Sequence, residues 1–309
     1  MMCFSILMRN IAVLIPCYNE ANTMADVVAS FKKHLPNAVV YVYDNCSEDD
    51  TAEIARNAGA IVVTAKTRGK GNVVRRMFSD VDADIYIMVD GDSTYTAKDA
   101  PRMINALIKE KADMVVAVRR ERSDSAYRNG HRLGNRIFNR LLKILFHSTF
   151  SDIFSGYRAF SRRFVKTFPI MANGFDIEAE LSIHALTLAI PCAEIDSDYW
   201  ERPANSYSKL STFKDGFKIF VSIMKLLKDV RPLFFFGMIF IALFLLSIGI
   251  SYPLVMTFME TGLVPRLPTA VLSTGVMMIS FLSLTCGIIM DSISQARMEI
   301  KKLHYLLFN

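Results

Sequence analysis

The sequence has few cysteines and lacks the spaced motifs of several large protein classes. Its five cysteines are scattered along 309 residues with no C-x-x-C pair, so neither a disulfide framework nor a zinc site is indicated, and a reducing compartment is expected. No G-x-x-x-x-G-K-[ST] loop occurs, and no G-x-G-x-x-G turn follows the first predicted strand. These absences disfavour ATPases and dinucleotide-dependent enzymes.

Charged residues are also scarce. They make up 21% of the chain against 52% hydrophobic residues, and the mean hydropathy is +0.27. This is more apolar than a soluble enzyme needs to fill its core, so a membrane component is expected. Leu, Ile, Val and Phe are abundant and the net charge of +6 is small for this length, and together these exclude an intrinsically disordered chain.

Two long stretches, 232–259 and 267–290, contain no charged residue. Each exceeds the roughly 20 residues that a membrane-spanning helix needs, which predicts spans at about 233–256 and 268–290. Basic residues flank both outer sides of this hairpin, whereas its connector carries one acid and one base. The positive-inside rule therefore places both flanks in the cytoplasm and predicts a multi-pass protein. Two buried helices of a soluble core are the alternative.

The predicted domains follow from this hairpin. We expect an N-terminal extension over 1–9, an α/β domain over 10–210 and an amphipathic helix over 211–231. The transmembrane hairpin at 232–291 is followed by a cytoplasmic tail over 292–309. Apolar residues recur at helical spacing in the amphipathic segment, with lysines elsewhere around the helix, which is typical of a helix at a bilayer surface. Packing of that helix in a core is the alternative.

Short β-branched runs alternate with helical patterns over the first 120 residues. This alternation predicts a mostly parallel, Rossmann-like sheet covered by helices on both faces. The predicted strands are Ile11–Pro16, Val39–Asp44, Ile61–Thr64, Ile85–Asp90 and Met114–Val118. The predicted helices are Val27–Leu35, Thr51–Ala58, Gly71–Phe78 and Ala100–Lys109. Ligands bind outside the carboxyl ends of the strands in such sheets, so the residues that follow each strand are candidates for a site.

The strongest candidate is Asp90-Gly91-Asp92, at the carboxyl end of the fourth predicted strand. Its two carboxylates flank a glycine that lets backbone and ligand approach closely. Hard oxygen donors at this spacing suit Mg²⁺ or Mn²⁺, which would bridge to substrate phosphates. A plain turn is the alternative, but the position at the end of a buried strand opposite Asp44 favours the metal site.

Cationic residues are concentrated in a segment that begins at Arg119, where eight Lys or Arg residues stand against two acids. Arginines recur every four residues along one face of a predicted helix, and like charges at this spacing repel one another. We therefore expect an anionic partner: a phosphate group at Arg119, Arg128 and Arg132, with lipid headgroups at Arg136 and Arg140. A solvated basic face is the alternative.

Four motifs together resemble glycosyltransferase family 2, whose members have the GT-A fold and use nucleotide-sugar donors. These motifs are Pro16-Cys17-Tyr18-Asn19-Glu20, Asp44-x-x-Ser47, Gly69-Lys70-Gly71 and Asp90-Gly91-Asp92. Segments 152–158, 174–181 and 202–210 are similar to the polyprenyl-phosphate branch, which includes dolichyl-phosphate-mannose synthase and the bactoprenol glucosyltransferases. The resemblance covers about residues 10–230, and the hairpin that follows is similar to that of bacterial members.

The resemblance implies roles for individual residues. The nucleotide-sugar would be bound by Pro16, Tyr18, Asn19, Glu20, Asp44, Ser47, Lys70, Asp90, Gly91, Asp92, Arg202, Ser208 and Lys209. Asp90 and Asp92 would carry the metal, and the last three residues would close over the diphosphate. Segment 204–207 departs from the family pattern, because it lacks the glycine that usually precedes the Ser-Lys pair, here Ser208 and Lys209.

The catalytic candidates are Asp90, Asp92, Asp152 and Lys209. Asp152 lies where the family places a conspicuous acid. A phosphate monoester is mostly dianionic at pH 7 because its second pKa lies near 6, so a strong general base is unnecessary. We hypothesise that Asp152 orients the acceptor or the sugar. A turn or cap carboxylate is the alternative.

The predicted function is the inverting, metal-dependent transfer of one sugar from a nucleotide-sugar to polyprenyl (undecaprenyl) phosphate, on the cytoplasmic leaflet of the inner membrane. UDP-glucose is the first expected donor, ahead of UDP-N-acetylglucosamine, UDP-galactose and GDP-mannose. The expected partners are the bilayer, further copies of the chain in a tetramer and a downstream flippase, with no nucleic acid. The alternatives are a glycosyltransferase acting on a lipid-linked glycan and a non-catalytic nucleotide-sugar-binding scaffold.

Overall fold

The computed structural model describes residues 9–121, 150–170, 177–200, 224–225 and 227–308. The chain forms two compact units. The first comprises Met1–Phe213 and Lys301–Asn309, and the second comprises Lys214–Ile300.

A seven-stranded sheet forms the centre of the first unit. Its strands are β1 (Ile11–Cys17), β2 (Val39–Asp44), β3 (Ile61–Thr64), β4 (Ile85–Met88), β5 (Met114–Glu121), β6 (Arg158–Ser161) and β7 (Cys192–Tyr199). They are arranged in the order β3-β2-β1-β4-β6-β5-β7. In the described sheet β6 runs antiparallel to β4 and β5, while the other neighbours are parallel. The carboxyl ends of the parallel strands therefore share one edge, and β6 begins at that edge.

Helices cover this sheet. In the first unit they are α1 (Ala21–His34), α2 (Thr51–Asn57), α3 (Lys70–Asp80), α4 (Ala100–Lys109), α5 (Arg162–Thr167) and α6 (Ile177–Thr187). The buried residues of α1 include Met24, Val27, Val28 and Phe31, whose spacing places them on one helix face. Every residue of β1 is buried, which explains its unbroken apolar sequence.

The mostly parallel α/β sheet predicted from the sequence is confirmed, with corrections at element ends. α1 begins at Ala21, before the apolar repeat starts at Val27. β4 ends at Met88, so Val89 separates it from Asp90. β5 continues to Glu121 because it pairs with β7 over eight residues, so Arg119 lies inside the strand and does not follow it as predicted.

The two remaining helices, α7 (Pro232–Thr261) and α8 (Leu267–Leu307), are long and apolar enough to cross a membrane. Within the second unit they pack closely: the hydroxyl of Ser247 donates to the Ser273 carbonyl at 2.8 Å. A Cβ at Gly287 would lie 2.9 Å from that of Phe236. The predicted amphipathic helix falls largely on residues outside the described ranges.

Candidate functional site

Hydrogen bonds join the segments that follow β1 and β2. The Asn19 amide donates to Ser47 Oγ at 2.9 Å, and the Glu48 amide donates to Asn19 Oδ1 at 2.8 Å. The Ser47 amide donates to the buried carboxylate of Asp44 at 3.2 and 3.3 Å. Three residues implied in donor binding, Asn19, Asp44 and Ser47, are thus brought together.

Asn45 ties the β2 end to the turn before α3. Its Oδ1 accepts from the Gly69 amide at 2.7 Å, and its Nδ2 donates to the carbonyls of Ala65 and Thr67 at 3.1 and 2.9 Å. Gly69 has φ = 118°, a conformation that L side chains rarely adopt. This turn sets the position of Lys70, the first residue of α3.

The other residues of the first motif surround the same edge. Pro16 lies inside β1, opposite Tyr43 of β2. The ring of Tyr18 lies 5.4 Å from the Arg68 guanidinium. Glu20 precedes α1, and its carboxylate is so close to Gly91 that a Cβ there would collide with it. The β1 end therefore reaches the Asp-Gly-Asp loop after β4.

The Asp-Gly-Asp loop is held by short hydrogen bonds. Asp92 is buried, and its Oδ1 accepts from the Thr94 hydroxyl at 2.6 Å and the Thr94 amide at 3.2 Å. The hydroxyl of Thr23 donates to the Gly91 carbonyl at 2.6 Å. Ser93 adopts a left-handed φ of 60°, which is uncommon for a residue other than glycine. The loop therefore holds the buried Asp92 carboxylate in a defined position.

Lys70 bridges two carboxylates at this edge. Its Nζ lies 2.5 Å from Asp90 Oδ1 and also forms a salt bridge with Glu178 on α6. Burial by itself would lower the pKa of Lys70, but the charges of Asp90 and Glu178 outweigh it and raise the pKa. Lys70 is therefore paired with two carboxylates, and Glu178 belongs to the candidate site.

The loop before β6 packs directly on Asp90. A Cβ at Gly156 would collide with Asp90 Oδ2, and the Gly156 amide donates to the Tyr95 hydroxyl at 3.1 Å. The fully buried Arg158 donates from Nε to the Ser155 carbonyl at 2.9 Å and from Nη2 to the Ile153 carbonyl at 2.5 Å. These hydrogen bonds from Arg158 hold the loop before β6 in place.

A second charged pair stands at the same edge. Arg119 donates from Nε to Asp152 Oδ2 at 2.6 Å and from Nη2 to Oδ1 at 2.8 Å, a two-bond arrangement that fixes the guanidinium plane. The guanidinium lies 5.5 Å from the ring of Tyr199, at the end of β7. Burial raises the pKa of Tyr199, and the charge of Asp92 raises it further. Tyr199 is therefore close to both the arginine pair and the Asp-Gly-Asp loop.

A family model described as glycosyl transferase family 2 matches residues 12–168, half of the chain, including β1, β4 and the loop before β6. The chain belongs to glycosyl transferase family 2. It is 60% identical over 124 residues to protein RfbJ of Shigella flexneri, covering 40% of this chain and 96% of RfbJ. It is 29% identical over 222 residues to a dolichyl-phosphate hexose transferase of Haloferax volcanii, covering 72% and 96% of the two chains.

The fold of this family 2 glycosyltransferase is of GT-A type. A crystal structure of glucosyl-3-phosphoglycerate synthase from Mycobacterium tuberculosis, in complex with Mn²⁺, UDP and glucosyl-3-phosphoglycerate, aligns with a TM-score of 0.59 at 22% identity. The alignment covers 72% of this chain and 80% of the synthase. At this identity the likeness shows the fold alone.

The carboxylates at this edge of the glycosyltransferase sheet fit a divalent cation that is coordinated partly by the protein and partly by a substrate. Asp90 and Asp92 follow the same strand, and Mg²⁺ in proteins is usually held by one or two carboxylates with phosphate oxygens completing the shell. Within the described ranges, no three His, Cys, Asp or Glu side chains are grouped to hold a metal ion without such help. The residues therefore suit a cation that arrives with a diphosphate.

Several predicted site residues of the glycosyltransferase fall outside the described residues: Arg128, Arg132, Arg202, Ser208 and Lys209. Four residues that the structure brings to this edge are not among the predicted site residues: Asn45, Gly156, Glu178 and Tyr199. Asn45 directly follows the end of β2, and this position could have identified it from the sequence. Glu178 lies 108 residues from Lys70, its partner, and no local pattern announces that pair.

Proposed function

We propose that this glycosyltransferase transfers a single sugar, with inversion, from a nucleotide-sugar to polyprenyl phosphate on the cytoplasmic leaflet of the inner membrane. The observation that carries the proposal is the Arg119–Asp152 pair at the sheet edge that also holds Asp90 and Asp92. Both reactants are phosphorylated and repel one another. A site for this reaction therefore needs cationic groups on the donor side and on the acceptor side.

On the donor side, Asp44 and Ser47 would contact the nucleoside. Asp90 and Asp92 would hold Mg²⁺ or Mn²⁺ together with the diphosphate; when bound, the cation would neutralise charge on the departing nucleoside diphosphate. The solved neighbour binds Mn²⁺ and UDP, which supports a UDP-sugar, with UDP-glucose as the first donor to test. Arg202, Ser208 and Lys209 complete the proposed donor site.

On the acceptor side, Arg119 would bind the phosphate, with Arg128 and Arg132 as further ligands. Asp152 bonds to the guanidinium through both oxygens, a role that orients Arg119 without removing a proton. The acceptor is already mostly dianionic at pH 7. Its oxygen would form a bond to the anomeric carbon as the bond to the diphosphate breaks, and no proton transfer is required.

The lipid nature of the acceptor is supported by two observations. α7 and α8 are long and apolar enough to cross a membrane, and a relative aligned over most of its length is named a dolichyl-phosphate hexose transferase. Basic residues on both outer flanks of the hairpin favour a cytoplasmic active site. Assembly into a tetramer and transfer of the product to a flippase belong to the same proposal, and the mass of the purified protein in nanodiscs tests the first.

The test uses the full chain, purified in detergent, with undecaprenyl phosphate as the sole acceptor. Each of UDP-glucose, UDP-N-acetylglucosamine, UDP-galactose and GDP-mannose is supplied with Mn²⁺ or Mg²⁺. The lipid product is identified by mass spectrometry and its anomeric configuration by NMR. We expect one hexosyl phosphate lipid of inverted anomeric configuration, lost with EDTA and with Asp92→Asn. No transfer to undecaprenyl phosphate from any of the four donors, or turnover unchanged in Asp92→Asn, would contradict the proposal.

A further inference from the structure

The candidate site contains a cationic side chain of the protein, Lys70. Lys70 contacts Asp90, one of the two proposed metal ligands, and its side chain is only 11% exposed. Glu178, its second partner, is 7% exposed and comes from a different helix. Three separated parts of the chain therefore meet at one ammonium group.

The positions of both partners are restricted. Gly156 packs on the carboxylate of Asp90, so this side chain has little room to turn away from the loop after β4. Glu178 lies on α6 within the electrostatic reach of the buried Arg158, and the hydroxyl of Ser182 on the same helix contacts the Ile153 and Glu178 carbonyls. Lys70, with four rotatable methylenes, is the flexible member of the three.

Lys70 and a divalent cation would compete for Asp90. An ammonium that donates to a carboxylate oxygen at 2.5 Å takes up an oxygen that a metal would coordinate, and its charge repels a second cation nearby. A buried ammonium cannot simply leave Asp90, because an unpaired charge in the interior is strongly unfavourable. It needs another anion within reach, and Glu178 is already bonded to it.

We propose that Glu178 is a positioning residue that retains Lys70 when a divalent cation with its nucleotide binds at Asp90, and that Lys70 is the resident counter-ion of Asp90 before then. The inference rests on the proposed function, since it takes Asp90 as a ligand of the cation. It assigns to Glu178 an effect on metal affinity that is exerted only through Lys70. Together, Lys70 and Glu178 keep Asp90 paired with an ammonium group until a divalent cation takes its place.

The experiment measures Mn²⁺ binding to the full chain in detergent with a fixed concentration of UDP, from the electron paramagnetic resonance signal of free Mn²⁺. The variants are Glu178→Gln, Lys70→Met and the double variant. Glu180→Gln is the matched control, because it removes the same charge two residues along α6. Glu178→Asp, which keeps the charge on a shorter side chain, serves as a second probe if the glutamine variant does not fold.

We expect Glu178→Gln to weaken Mn²⁺ binding by about tenfold, the size expected for losing a hydrogen bond between charged groups. Glu178→Asp should weaken it less. In the Lys70→Met background Glu178→Gln should have no further effect, and Glu180→Gln should bind as the wild type does. This pattern separates a role through Lys70 from a purely structural role of Glu178.

Two results would overturn the inference alone: unchanged Mn²⁺ affinity in both Glu178 variants, or a weakening that persists when Lys70 is methionine. In both cases the wild type would still bind Mn²⁺ with UDP, and the proposed function would stand. If the wild type binds no Mn²⁺ in the presence of UDP, the proposed function fails and the inference fails with it.

Discussion

Gly156 and Asp90 are in such close contact that a methyl group cannot be placed between them. A Cβ built on Gly156 would collide with Asp90 Oδ2. The φ angle of this glycine is not among the positive ones, so its backbone conformation does not require glycine. Glycine is required here by space, because the loop before β6 forms the wall against which the Asp90 carboxylate rests.

Gly156→Ala should therefore displace the Asp90 carboxylate and impair the donor site. We expect turnover to fall by at least about tenfold, since small displacements of catalytic groups have large effects on rate. The apparent affinity for Mn²⁺ should fall in parallel while the protein stays folded. Gly237→Ala is the matched control, because a Cβ there meets nothing within 4 Å. Equal activity of the two variants would show that Asp90 is not held by this contact.

The Arg119–Asp152 pair gives a prediction about the acceptor. Lysine at position 119 cannot form the two parallel hydrogen bonds that a guanidinium makes to a carboxylate, so Arg119→Lys should raise the KM for polyprenyl phosphate by about tenfold. Asp152→Asn should have the same effect because it releases the same guanidinium. The KM for the nucleotide-sugar should change little in either variant, measured by initial rates with each substrate varied in turn.

The same two variants separate positioning from general base catalysis. If Asp152 removed a proton, its amide variant would lose about 10² to 10⁴ in kcat with little change in KM, and Arg119→Lys would not share that effect. Conversely, a shared rise in KM for the lipid and an unchanged pH profile would support positioning. Arg120→Lys is the control, because Arg120 is exposed and pairs with Asp196 at the surface.

The sheet, and the strand ends at which the candidate site lies, could be predicted from local patterns in the sequence. Alternating strands and helices predict the sheet, and the rule that ligands bind at strand ends directs attention to Asp44 and Asp90. The predicted β5 was too short because pairing with β7 extends the strand. Arg119, for example, pairs with Ser197, which lies 78 residues later in the chain. The partnership of Lys70 with Glu178 depends on how α6 packs, which is a tertiary relationship that no short segment encodes.

Burial of His184 makes the stability of the first unit depend on pH. The ring packs against Phe164 and Phe168, and burial, together with the charge of Lys301, lowers its pKa from about 6.5 to about 3. The unfolded chain therefore binds a proton at His184 below pH 6.5, whereas the folded chain does not until near pH 3. The contribution of the buried, neutral His184 ring to the unfolding free energy is fully present above pH 6.5 and is lost as the pH falls toward 3.

The expected slope is about 1 kcal/mol of unfolding free energy per pH unit in that window. His184→Leu removes the titrating group and keeps an apolar side chain, so the stability of the variant should depend less on pH between 6 and 4. The measurement is the midpoint of thermal unfolding in detergent at a series of pH values. Parallel curves for the wild type and the variant would show that His184 is protonated in the folded protein.

Close packing of α7 and α8 can be tested at Gly287. The nearest atoms to a Cβ at this position are the Cβ of Phe236 at 2.9 Å and the backbone of Leu233 at 3.6 Å, so a larger residue must force the two helices apart. Membrane helices often approach through small residues because van der Waals packing stabilises their association. Gly287→Leu should therefore destabilise the hairpin by about 1–3 kcal/mol, the range for overpacking.

Gly275→Leu is the control on the same helix, since a Cβ there meets nothing within 4 Å. The midpoint of thermal unfolding in detergent should fall for Gly287→Leu alone, and an equal fall in both variants would mean that the contact with α7 does not determine the effect.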